Sequence, residues 1–195
     1  MNVRSIIMNV RKVKKSLYNQ TPLKLLSYLS IYPEKIFSAY EVSRHTHTSK
    51  GATNQILRLF VKLDILIREK RGNVFLYKLN IDNFILKQFK IFENLLSIQD
   101  IIKAIKPYCY QIIIFGSCAD GSNSVESDID LFIKSEFKNQ ITKAIADDPD
   151  MRLKIKPIIQ DPLEIISAEK KDKVFFEQVK KGIVLWEGKP THEEV

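Results

Sequence analysis

The chain has 195 residues, 45% of them hydrophobic and 28% charged, with a formal net charge of +8. That balance is ordinary for a globular protein and excludes a disordered chain of low hydrophobicity; no apolar run approaches the ~20 residues of a membrane span. The charge is uneven: residues 1–100 carry 17 Lys/Arg against 7 Asp/Glu, and residues 101–195 carry 14 against 16. A basic module joined to a nearly neutral one is expected, and basic modules often meet nucleic acid, although a solvated lysine-rich surface gives the same count. Cys109 and Cys118 are the two cysteines. Neither has a zinc-ligand spacing, and both are expected to be reduced thiols of a cytoplasmic protein.

In chain order, residues 1–16 read as a basic N-terminal arm without the apolar segment of a signal peptide, and Met1 and Met8 both stand as candidate starts. From Thr21, as N-cap with Pro22 at the first helical position, a helix with Leu23, Leu26 and Leu29 on its apolar face is expected, limited by Pro33. Ser38 caps a short helix with Val42 inward. After the turn His45–Thr48, a second helix starts at Ser49, its buried stripe formed by Ala52, Ile56, Leu59, Phe60 and Leu63. Two strands follow, Ile65–Arg68 and Val74–Leu79, joined by a Gly-containing tip, Glu69–Asn73. His45 and His47 lack further ligands nearby and are expected to face solvent.

The order helix, short helix, turn, helix, hairpin over about Thr21–Asn80 resembles winged helix-turn-helix DNA-binding domains. The resemblance implies double-stranded DNA as a partner, transcription regulation as a role, and a homodimer that reads paired half-sites. The residues it would use are Ser49, Lys50, Thr53, Asn54 and Arg58 on the second helix, with Lys70 and Arg71 at the hairpin tip. Residues 17–80 are assigned to this domain. Residues 81–106 are assigned to connecting helices, apolar at Phe84, Ile85, Phe89, Phe92, Leu95 and Leu96, with a second short helix over Ile98–Ile105.

The stretch Ile112–Ile133, IIIFGSCADGSNSVESDIDLFI, carries the most chemistry. Two apolar runs, Ile112–Phe115 and Leu131–Ile133, read as buried strands. Asp128 and Asp130 are one residue apart, so in a strand they share a face while Ile129 points into the core. Two carboxylates on one face at a strand edge suit a hard divalent cation such as Mg2+. Gly116 permits a tight turn whose N–H groups, with the Ser117 hydroxyl, suit phosphate oxygens. A polar surface hairpin with two acids at its foot is the plainer alternative.

Gly-Ser, ten residues and then Asp-x-Asp between apolar flanks resembles the signature of minimal nucleotidyltransferases of the DNA polymerase β-like superfamily. This implies a C-terminal α/β domain with a mixed sheet over residues 107–190. Asp128 and Asp130 would be its catalytic and Mg2+-binding pair, and Gly116 and Ser117 would bind a nucleoside triphosphate. The acceptor hydroxyl would belong to a protein side chain or a small molecule. The family order also implies a helix over Lys138–Ala146, a third strand over Met151–Gln160, and a final helix and strand ending at Ile183–Trp186.

One departure matters. The family's third carboxylate, aligned by strand pattern, falls at Lys156 or Lys154, with Asp161 and Glu164 just beyond. Two readings stay open. One is a DNA-binding protein that transfers a nucleotidyl group. The other is a nucleotide-sensing transcriptional regulator that has lost catalysis. The expected class is α+β in either case: a winged helix-turn-helix followed by a nucleotidyltransferase-like α/β domain.

Overall fold

The computed structural model describes residues 20–147 and 154–191. The basic arm and the first residues of the expected third strand lie outside them. The chain divides into two compact units, Met1–Leu86 and Lys87–Val195. The division falls later than residue 80, inside the first connecting helix. Among the described residues, no helix is long and apolar enough to cross a membrane.

The first unit comprises α1 (Gln20–Ile31), β1 (Ile36–Ser38), α2 (Ala39–His45), α3 (Lys50–Lys62), β2 (Leu66–Arg71) and β3 (Val74–Leu79). The helix already includes Gln20, so Thr21 lies within it rather than capping it. Its buried face is Leu25, Leu26 and Leu29; Leu23 is exposed. The apolar stripe therefore begins at a different phase from the one expected at that end. Ser38 caps α2 as expected, accepting from Glu41 N at 3.2 Å, and Val42 is fully buried. The strands pair in the order β1-β3-β2, all antiparallel. β2 extends to Arg71, so the hairpin turn is only Gly72-Asn73, tighter than the five-residue tip expected. Gly72, at φ 58°, supplies the left-handed conformation that such a two-residue turn requires.

Hydroxyls, not apolar groups, close the α2–α3 turn. Thr46 Oγ1 donates to the Val42 carbonyl at 2.7 Å and lies 2.9 Å from Thr48 Oγ1. Thr48 Oγ1 in turn lies 2.7 Å from Thr53 Oγ1, which donates to the Ser49 carbonyl at 3.0 Å. Asn83 ties down the far end of α3. Its Nδ2 donates to the carbonyls of Leu63 at 3.2 Å and Asp64 at 3.0 Å, while its Oδ1 accepts from Leu86 N at 3.0 Å.

α4 (Phe84–Ser97) begins in the first unit and continues into the second, where α5 (Gln99–Ile105), β4 (Gln111–Phe115), α6 (Ser117–Asp120), β5 (Ile129–Lys134) and α7 (Lys138–Ala146) follow. Of the expected apolar positions on α4, Phe84, Phe92 and Leu96 are exposed, and Leu86, outside the expected set, is buried. β6 (Ile155–Gln160), α8 (Pro162–Lys171), α9 (Lys173–Lys180) and β7 (Ile183–Glu187) complete the chain. α8 has no counterpart among the expected elements. The sheet order is β6-β5-β4-β7, with β5 and β6 parallel and the other neighbours antiparallel, the mixed sheet expected.

Strand alternation sends successive side chains to opposite faces. Ile112, Ile114, Leu131 and Ile133 pack with Ile101, Ile105 and Ile141. Ile113, Phe115 and Phe132 pack with Phe176 and Val179 of α9. Both faces are therefore apolar, and the polar positions are pushed to the strand ends.

Replacing Asn83 with alanine removes a helix cap and leaves two carbonyls without this donor. A loss of about 1–2 kcal/mol is expected in equilibrium urea unfolding.

Candidate functional site

Sheet register assembles the site. β4 ends at Phe115, whose antiparallel partner is Asp130 at the start of β5. The chain turns at Gly116, at φ 68° and ψ −153°, a backbone region essentially closed to other residues. A Cβ there would stand 3.0 Å from Asp130 Oδ2, so the Asp130 carboxylate lies against the bare glycine backbone. Asp128 precedes the strand. Cys118 lies buried in α6, with its Sγ 3.4 Å from the Asp128 carbonyl. Gly116, Asp128 and Asp130 are thus gathered around one turn.

The turn is held from within. Ala119 N and Asp120 N donate to the Gly116 carbonyl at 3.0 and 3.3 Å. Ser122 N and Asn123 N donate to the Ser117 carbonyl at 3.1 and 3.2 Å. Most of its amides are therefore engaged, and Ser117 stands at the head of α6.

The parallel pairing of β5 with β6 places Lys156 beside Asp130 in register. The Lys156 ammonium forms an ion pair with Asp128 Oδ2. That hydrogen bond, and then the charges of Asp128 and Asp130, raise the Lys156 pKa above its ordinary value. Burial raises the Asp130 pKa; Lys156 acts against this shift and the Asp128 carboxylate adds to it. Of the two lysines that the strand pattern leaves open, Lys156 is the one at the carboxylates. Asp161 is not a substitute acid, because it caps α8 by accepting from Leu163 N at 2.8 Å. Glu164 pairs with Lys138 at 3.3 Å. Among the described residues, no cluster of three or more His, Cys, Asp or Glu could hold a metal ion. The two carboxylates are thus a donor pair that a single hard divalent cation would fit with further ligands from elsewhere, and the third acid of a two-metal centre is not found beside them among the described residues.

In the first unit, Ser49, Lys50, Asn54 and Arg58 are exposed along α3, and Lys70 and Arg71 are exposed on the hairpin. Ser49 caps α3 by accepting from Ala52 N at 3.2 Å, and Asn54 Nδ2 donates to the Lys50 carbonyl at 2.9 Å. Arg71 is paired with Glu69 at 3.1 Å, an exposed and readily exchanged partner. Thr53 is a correction. It is fully buried in the hydroxyl chain described above and cannot reach a ligand on the exposed face. Three exposed residues are absent from the set read off the sequence. Tyr40 lies beneath the Lys50 ammonium at 5.2 Å, Arg44 stands on the same short helix, and Arg68 lies over the Phe75 ring at 4.5 Å. An aromatic interleaved with basic residues was the available signal for the first. His45, expected at the surface, is exposed and stacks on Tyr28 at 5.2 Å.

Residues 97–191 match the family model described as polymerase beta, nucleotidyltransferase. The match supports a nucleotidyltransferase domain over those residues. No curated protein matches the chain. Among solved structures, it is similar to the hypothetical protein PyrSV_gp04 from Pyrobaculum spherical virus. That similarity has 13% identity over 69% of this chain and 80% of the other, with a TM-score of 0.29, too low to bear on fold or function.

Because burial raises the Asp130 pKa, the stability this group contributes is fully present below its unfolded pKa and lost as pH rises through the folded value. The ionised carboxylate is a cost at neutral pH. Asp130→Asn is accordingly expected to raise the melting temperature at pH 7, with the gain shrinking as the pH falls through the carboxylate range. A scan of melting temperature against pH checks both points.

Proposed function

We propose that this protein binds double-stranded DNA through its first unit and a magnesium–nucleoside triphosphate through its second, using the nucleotide as a signal rather than transferring it. The single observation that carries this reading is Lys156, standing in register with Asp130 and ion-paired with Asp128. Nucleotidyl transfer with two metals asks for a further acid ligand where this strand presents an ammonium. An ammonium is instead a good ligand for a phosphate.

Asp128 and Asp130 would hold Mg2+, which supplies charge neutralisation and a template for the phosphates. Ser117 would donate to a phosphate oxygen at the turn made possible by Gly116. Lys156 would leave Asp128 for a triphosphate oxygen, freeing that carboxylate. Its side chain is 65% exposed, so the exchange needs no rearrangement of the core.

The order of elements in the first unit, with β1 added to the edge of the β2–β3 hairpin, supports a winged helix-turn-helix. On this reading α3 is the recognition helix and the hairpin its wing. Lys50, Asn54, Arg58, Lys70 and Arg71 would meet DNA, with Tyr40 and Arg44 extending the same basic surface. The excess of 17 basic over 7 acidic residues in the first 100 supports an anionic partner.

Three experiments test the proposal. Calorimetry with each Mg-nucleoside triphosphate should show binding to the wild type and a loss of about tenfold or more in Lys156→Met. A triphosphate labelled at the α-phosphorus should transfer no label; labelled acceptor that disappears in Asp128→Asn would instead establish the transferase reading. In a gel shift, Lys50→Ala, Arg58→Ala and Arg71→Ala should each weaken DNA binding. Each should also reduce the slope of log affinity against log salt by about 0.9 for every phosphate no longer neutralised. No binding at low salt would end the DNA half of the proposal.

A further inference from the structure

α4 carries a buried lysine. Lys90 is 5% exposed, and its ammonium donates to the Asn123 carbonyl. One turn further along, Asn94 Nδ2 donates to the Cys118 carbonyl at 2.9 Å and to Asn123 Oδ1 at 3.1 Å. Asn123 Nδ2 returns a bond to Asn94 Oδ1 at 3.2 Å. Gly121, at φ 77°, lies so close to the same helix that a Cβ would collide with the Lys87 backbone. Residues 87, 90 and 94 are three and four apart and share one helix face. That face grips both ends and the tip of the turn that begins at Ser117.

Stability alone does not account for Lys90. Taking an ammonium out of water is costly, a neutral carbonyl returns only part of the cost, and lysine is almost never this buried without a partner. Burial accordingly pushes its pKa down, with Cys118 and Asp120 acting in the opposite direction through space. Methionine would fill much the same volume without desolvating a charge. What the lysine adds is a positive charge directly behind the turn and a fixed position for Asn123.

We propose that Lys90 and Asn94 are positioning residues of the nucleotide site: they clamp the Ser117–Asn123 turn in the form that receives a triphosphate, and Lys90 backs that turn with positive charge. The inference rests on the nucleotide reading above and deepens it by naming residues outside the signature motif.

The test uses the full chain as wild type, Lys90→Met and Asn94→Leu. Three readouts are needed: calorimetry with Mg-ATP, Mg-GTP, Mg-CTP and Mg-UTP; amide hydrogen exchange of residues 117–123 without nucleotide; and thermal melting. Both variants should lose about tenfold or more in nucleotide affinity and show exchange of those amides faster by a similar factor. The melting temperature of Lys90→Met should hold or rise, because a desolvated charge has been removed. A merely structural lysine predicts the reverse: affinity and exchange unchanged, with only the melting temperature moving. That result overturns the proposal. Should Lys90→Met fail to fold, Asn94→Leu carries the same comparison. Wild-type protein that binds none of the four nucleotides overturns the nucleotide reading itself, and the exchange measurement still decides whether the clamp exists.

Discussion

Two carboxylates held at one turn need a cation. Asp130 is fixed against the backbone of Gly116 by the pairing of β4 with β5, and Asp128, just before β5, is held at the same turn by the contact of its carbonyl with Cys118 Sγ. Their like charges repel, and partial burial of Asp130 worsens the repulsion by weakening the shielding from water. The parallel neighbour strand resolves the conflict by presenting Lys156. This one balance sets what the second unit can bind. A free divalent ion must compete with an ammonium already in place, whereas a metal carried on a triphosphate brings a new acceptor for that ammonium. On the proposed reading, the site would thereby be biased towards a metal with its nucleotide over a metal alone.

The first unit rests on a different constraint, the burial of polar groups in a turn. The chain from Thr46 through Thr48 and Thr53 to the Ser49 carbonyl satisfies hydroxyls that would otherwise be stranded in the angle between α2 and α3. Satisfied in this way, the turn can be compact without a large apolar side chain. Thr53 is thereby committed to structure and lost to recognition. The remaining polar face of α3 is consequently narrower than its sequence implies, and on the proposed reading α2, with Tyr40 and Arg44, would be the place for it to widen.

Much of this was legible because strong signals coincided. Apolar runs located β4 and β5, the Gly-Ser to Asp-x-Asp spacing located the turn between them, and the expected helix over Lys138–Ala146 matches α7 residue for residue. The failures have physical causes. Helical periodicity counts threonine as polar and therefore outward, so it cannot register a hydroxyl satisfied by its neighbours. A lysine is read as solvated, so nothing local marks Lys90 as buried. α8 was missed because it buries little and has no strong apolar stripe; Leu163 and Ile166 are exposed. The register that sets Lys156 beside Asp130 depends on a parallel crossover, which leaves no local trace in the sequence.

Lys156 and Lys90 also explain how a site in this half of the chain would attract an anion at all. The second unit, residues 87–195, carries 18 acidic residues against 16 basic, so its own long-range field does not favour a triphosphate. Attraction has to be local. Lys156 stands on the open side of the carboxylates, exposed and exchangeable, and can follow the ligand. Lys90 sits behind the Ser117–Asn123 turn, buried and fixed, and cannot. On the proposed reading, an exposed cation would answer to the ligand's arrival, and a fixed one would shape the turn before arrival. Charge placed in these two ways does more for binding than the same two charges on an open surface, where salt would screen them within about 8–10 Å.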